Sequence, residues 1–166
     1  MEFERQTNRR LYEEHVATLD LLGRVERAVT GRAGGYPPAP GDAGWDAFAR
    51  GAIGAIELEV ARHFEFEERD LFPLLEQSGD GDLAALLREE HETIRAVAGP
   101  FTQLLRKSRA GGMASADWQS LKTLGLELSE RLGSHAQKED GSLLATLENV
   151  LDEDTDRELF AAYAAG

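Results

Sequence analysis

A chain of 166 residues with 42% hydrophobic content and two tryptophans is long enough to build one domain around a sizeable core. Its 18 basic and 31 acidic side chains leave a net charge of −13, which repels nucleic acid and anionic membranes and favours cations. With no cysteine, disulfides, thiolate metal sites, cysteine nucleophiles and iron–sulfur ligation are excluded, so any metal must sit on histidine and carboxylate.

The opening "MEFERQTNRRLYEEH" lacks the apolar core of a signal peptide, and nowhere do ~18 apolar residues run together as a membrane span requires. The expectation is a soluble, cytoplasmic protein. Apolar residues recur at helical spacing in four long stretches and one short one, and no stretch alternates as a strand would. The first helix is predicted from about Asn8 to Val29, stopped by the Gly/Pro loop over 31–44. The second runs from about Trp45 to Gln77 and stops at "SGDGD", and Pro73 is expected to kink or fray its last turn. The third covers about Leu83 to Arg109, with a kink expected at Gly99-Pro100. The fourth is predicted to start at a Ser115 cap and continue to about Leu151. A short final helix is predicted from Thr155, whose spacing to Glu158 fits a capping box.

Four amphipathic helices joined by short turns predict an all-α fold, an up-down-up-down antiparallel four-helix bundle over 1–151, with the short C-terminal helix of 152–166 packed on it or trailing. Each long helix carries one histidine: His15, His63, His91 and His135. His15 and His63 each lie roughly 22 to 26 Å from the first connection at 1.5 Å per residue, and His91 and His135 match each other as closely about the third. All four fall in one slice of the bundle. His63 and Glu67 are spaced i, i+4, and His135 and Glu139 repeat the spacing, so each pair projects from one helix face. "EEH" recurs at 13–15 and 89–91, and the chain therefore reads as two halves.

The neighbours of these residues at helical spacing are apolar: Leu11 and Leu19, Ile56 and Val60, Leu87 and Ile94, Leu128 and Leu132. A single histidine on such a face is ordinarily a core histidine bonded to a carbonyl. Four at one level with two acids are another matter, since burying them unpartnered costs several kcal/mol that a cation would offset. Six nitrogen and oxygen ligands from four helices suit two first-row ions, with iron the first expectation and manganese the second. If Glu67 and Glu139 both bridge, each ion keeps open positions for an oxo or hydroxo bridge and an external ligand.

At "HFEFEE" (63–68) with "LFP" (71–73), "EEH" (89–91) and "HAQKED" (135–140), the sequence resembles the hemerythrin-like family, the HHE cation-binding domains. The resemblance spans about Leu11 to Leu151 and implies a four-helix bundle with a non-haem di-iron centre on His15, His63, Glu67, His91, His135 and Glu139. The oxygen-carrying hemerythrins have a fifth histidine one turn from that on the third helix, where this chain has Leu87 and Arg95. The pattern is closer to four-His, two-Glu members, which include iron–sulfur repair proteins and iron- or oxygen-sensing domains. Asp140 competes with Glu139, because His-x-x-x-x-Asp is the spacing of the oxygen carriers; symmetry with Glu67 favours Glu139.

The functional expectation is a di-iron protein that binds or redox-processes dioxygen, hydrogen peroxide or nitric oxide, with an electron-donor protein as a candidate partner. The alternative is a non-enzymatic iron module for sensing, storage or delivery. Around the six, Glu59 reads as the partner of a surface arginine in preference to an imidazole acceptor, Tyr12 as an interfacial aromatic, and Glu14, Glu68 and Glu90 as solvated. Gly51 and Gly54 are expected to allow close helix approach.

Overall fold

The computed structural model describes residues 3–31, 36–110 and 113–165. Among these, every regular element is helical and no helix is long and apolar enough to cross a membrane. The helix α1 spans Gln6–Thr30, and the second rod is composite: α2 (Ala43–Leu58), a wide π-turn (Glu59–His63), α3 (Phe64–Phe66), a second π-turn (Glu67–Leu71) and α4 (Phe72–Ser78). Then come α5 (Gly81–Arg109), α6 (Ser115–Gly141), α7 (Leu143–Val150) and α8 (Glu153–Ala165). The predicted Gly/Pro loop of 31–44 falls partly outside the described residues.

The rods pack antiparallel in the up-down-up-down order expected of an all-α hemerythrin-like bundle. Contacts fix the directions. His15 meets Asp140 and Leu22 meets Ser129 along α1 and α6, while Thr18 meets Glu59 and Glu14 meets His63 along α1 and the second rod. The apolar stripes converge on two clusters. One, at the Trp45 end, gathers Val25, Ile56, Phe64, Ile94, Phe101, Trp118 and Leu128; the other gathers Phe3, Leu11, Phe66, Leu71, Phe72, Leu87 and Leu144. The histidine level lies between them, shielded from water at both ends.

Several local expectations are corrected. The second rod is not one regular helix: each of its two π-turns puts one extra residue into a turn, so that Phe64 and Phe66 are buried as well as His63 and Glu67. Pro73 does not fray the rod, because it sits at the start of α4, where a first turn tolerates its missing N–H. The third helix runs unbroken through Pro100, with the Thr102 hydroxyl donating to the Gly99 carbonyl at 3.0 Å. Ser115 is already inside α6; Ala114 stands at the N-cap with extended backbone and no side-chain cap. The fourth rod breaks at Ser142, whose hydroxyl donates back to the Lys138 carbonyl, and does not run uninterrupted to Leu151.

The last helix begins at Glu153, and the Asp152 carboxylate, not Thr155, caps it by accepting from the Thr155 N–H at 2.8 Å. Gly51 and Gly54 are exposed with open space where a Cβ would stand, so they serve no close approach. Gly125 does: a Cβ there would meet Phe101 Cε2 at 3.0 Å and Val25 Cγ1 at 3.3 Å. At the "SGDGD" stop, Gly79 takes φ 99°, and the Asp80 N–H closes the turn onto the Leu75 carbonyl at 2.8 Å.

Candidate metal centre

All six predicted side chains meet in the layer between the two clusters, and all are buried to 2% exposure or less. They form two groups of four ligand atoms, each group within 4.8 Å: His15, His63, Glu67 and Glu139; and Glu67, His91, His135 and Glu139. Both carboxylates belong to both groups. Glu67 directs Oε1 to His63 Nε2 (3.0 Å) and Oε2 to His91 Nε2 (3.4 Å). Glu139 directs Oε2 to His15 Nε2 (3.3 Å) and Oε1 to His135 Nε2 (3.0 Å).

The imidazoles face one another through Nε2, at 3.2 Å for His15 and His63 and 2.9 Å for His91 and His135. Their Nδ1 atoms are all turned outward onto a second set of carboxylates. His15 Nδ1 meets Asp140 (2.7 Å), His63 meets Glu14 (2.9 Å), His91 meets Glu68 (2.6 Å) and His135 meets Glu90 (2.9 Å). These contacts assign the Nδ1 proton, which leaves an Nε2 lone pair aimed at the shared interior. Lone pair on lone pair beside carboxylate oxygens is repulsive without a positive charge between. Both oxygens of Glu67 and Oε1 of Glu139 are buried without a hydrogen-bond donor. Orphaned acceptors and converging nitrogens are a donor set that fits metal cations.

With side chains alone, protons must supply that charge. Burial opposes charging His15, but hydrogen bonds to Asp140 and Glu139 raise it to about 9. Burial likewise opposes His91, and Glu139 and Glu67 raise it to about 9. Burial pushes Glu139 up, yet His135, His15 and His91 hold it well below its usual range. The cluster is thus built to stabilise positive charge at its centre.

A family model described as the hemerythrin HHE cation-binding domain matches residues 6–148. The chain belongs to the hemerythrin family. No curated protein matches it. The match takes in every helix that carries one of the six side chains, and the buried histidine–glutamate groups of this hemerythrin domain mark it as a cation-binding protein.

Neighbouring residues differ from expectation. Glu14, Glu68 and Glu90 are not merely solvated: each crosses to a histidine on the next rod. The clue was adjacency. The residues before His15 and His91, and those after Glu67 and Glu139, are all acidic. Asp140 and Glu139 divide the roles between which the sequence left a choice, Asp140 on the outer nitrogen of His15 and Glu139 in the interior. Glu59 pairs with no arginine among the described residues; it is buried, accepts from the Thr18 hydroxyl at 3.1 Å, and its pKa is raised by burial. Tyr12 is an interfacial aromatic, edge-on to Phe3 at 5.7 Å. Phe64, which the spacing rules did not place, stacks on His91 inside this hemerythrin bundle.

Proposed function

We propose that the protein holds a di-iron centre and uses it to bind or redox-process a small ligand: dioxygen, hydrogen peroxide or nitric oxide. His15 and His63 would hold one ion, His91 and His135 the other, with Glu67 and Glu139 shared. The observation that carries this reading is that both interior carboxylates present one oxygen to each histidine pair. Two bound irons would supply redox equivalents and open coordination positions.

The chain's own part is to aim and to exclude. The outer carboxylates hold each imidazole in one tautomer and orientation. The apolar clusters at either end keep bulk water from the layer. Four histidines and two carboxylates leave fewer protein ligands than two octahedral ions require, and the remaining positions suit an external molecule.

Elemental analysis of protein purified without added metal tests this reading directly. The expected result is two equivalents of iron per chain and an optical spectrum that changes on adding azide, peroxide or nitric oxide. Zinc in place of iron, or an iron spectrum indifferent to all three, would overturn it.

A further inference from the structure

The family match ends at residue 148, and α8 lies beyond it. This last helix nevertheless reaches the centre. Tyr163 is buried, its ring stacked on Phe66 with centroids 4.3 Å apart and the Arg62 guanidinium 4.8 Å from the ring centroid. Its hydroxyl donates to Glu14 Oε2 at 2.5 Å. The same oxygen accepts from His63 Nδ1 at 2.9 Å.

Two of the other outer carboxylates are held differently. Glu68 is gripped by Arg95 at 2.8 Å and Glu90 by Lys138, both cations on the bundle's own rods. Glu14 has a cation too, Arg10 at 2.8 Å on its other oxygen, but that side chain is 46% exposed and the pair is an i, i+4 surface contact of small worth. The buried phenol is what pins the oxygen facing His63. Without it, Glu14 is free to turn toward Arg10 and solvent, and the His63 ring loses its outer hold.

We propose that Tyr163 is a positioning residue of the metal centre, acting through Glu14 to orient His63, so that α8 forms part of the apparatus holding the ion of His15 and His63. The inference rests on the reading of the six interior residues as ligands. It predicts an asymmetry that the repeated sequence halves conceal, because the His91 and His135 pair has no contact of this kind with α8 among the described residues.

Anaerobic ferrous iron titration of the full chain, followed by calorimetry, tests it. Tyr163→Phe keeps the ring and removes only the hydroxyl; it should weaken one of the two binding steps by roughly 10-fold or more and leave the other unchanged. Leu159→Ala loosens the packing of α8 on its cluster but keeps the hydroxyl, and should disturb the weakened step less than Tyr163→Phe does. In a Glu14→Ala background, which removes the acceptor, Tyr163→Phe should add nothing, since the two act in series. Hydrogen exchange of residues 153–165 in Tyr163→Phe should stay as slow as in the parent.

Parent-like binding by Tyr163→Phe, an equal loss in Leu159→Ala, or loss of exchange protection in Tyr163→Phe would each overturn the positioning role. A parent protein that takes up no metal would sink this inference together with the ligand reading. Two equivalents in the parent beside an unaltered Tyr163→Phe would sink this inference alone.

Discussion

The ring of Phe64 lies flat on the imidazole of His91, with 3.7 Å between centroids and 6° between planes. Phe72 stacks near the same imidazole at 5.4 Å, and Glu68 holds its Nδ1. Phe64 turns inward because the π-turn of Glu59–His63 adds a residue just before it. Phe64→Leu should lower the unfolding free energy of the metal-free protein by about 1 to 2 kcal/mol, measured in urea. It should also weaken iron binding, since His91 loses a wall. An unaltered urea midpoint would mean that the stack contributes nothing.

The outer carboxylates carry a second prediction. Glu68→Gln and Glu90→Gln each keep a hydrogen-bond acceptor but remove the charge that assigns the Nδ1 proton, and should cost about 10- to 100-fold in metal affinity. Competition with a chelator measures the loss. Glu65→Gln serves as the control, its side chain being 70% exposed and paired with Arg69 at 3.9 Å. Equal affinities in all three variants would show the outer contacts to be incidental.

Acid stability should depend on Asp156. Its carboxylate caps α1 from α8, accepting from the Gln6 N–H at 2.8 Å and the Thr7 N–H at 3.0 Å. Burial pushes its pKa up, but the Thr7 and Gln6 backbone donors outweigh that and lower it. A depressed folded-state pKa means that the contribution is complete above the unfolded value, about 3.8 to 4, and lost as pH falls through the folded one. Asp156→Asn should cost about 1 kcal/mol at neutral pH and flatten the stability profile below about pH 4. Thermal melts from pH 7 to pH 2 would show it. Parallel profiles for the two proteins would rule the linkage out.

The glycines should divide by what stands opposite them. Gly125→Ala pushes a methyl group against Phe101 and Val25, and should destabilise by about 1 to 3 kcal/mol. Gly51→Ala and Gly54→Ala meet open space inside a helix and should stabilise by about 0.5 to 1 kcal/mol each. Chemical denaturation of the three variants decides the matter, and a stabilised Gly125→Ala would contradict the packing described.

Helical geometry converts distance along the chain into height and facing, which is why the level of the four histidines and the inward aim of Glu67 and Glu139 were legible in the sequence. Contacts between rods follow no such period. Glu14, Glu68 and Glu90 sit at positions that a single-helix reading assigns to solvent, and only the neighbouring rod shows where their oxygens go. The π-turns follow no sequence period for a related reason: an extra residue per turn leaves the i, i+4 spacing of His63 and Glu67 intact while bringing Phe64 inward beside Phe66, whose inward face the spacing predicts. Ser115 and Thr155 carry good capping side chains, but Ala114 and Asp152 occupy the capping positions. A cap is decided by where the backbone turns, which packing sets.

The outer hydrogen bonds run in order around the bundle, the second rod's histidine held from the first, the third's from the second, the fourth's from the third, and the first's from the fourth. Such a circuit has no free end. Rotating any rod about its axis breaks two links together, the one it gives and the one it takes, so a misaligned rod is penalised twice. Folding itself therefore aims the imidazoles, and an arriving ion need spend little of its binding free energy on organising them.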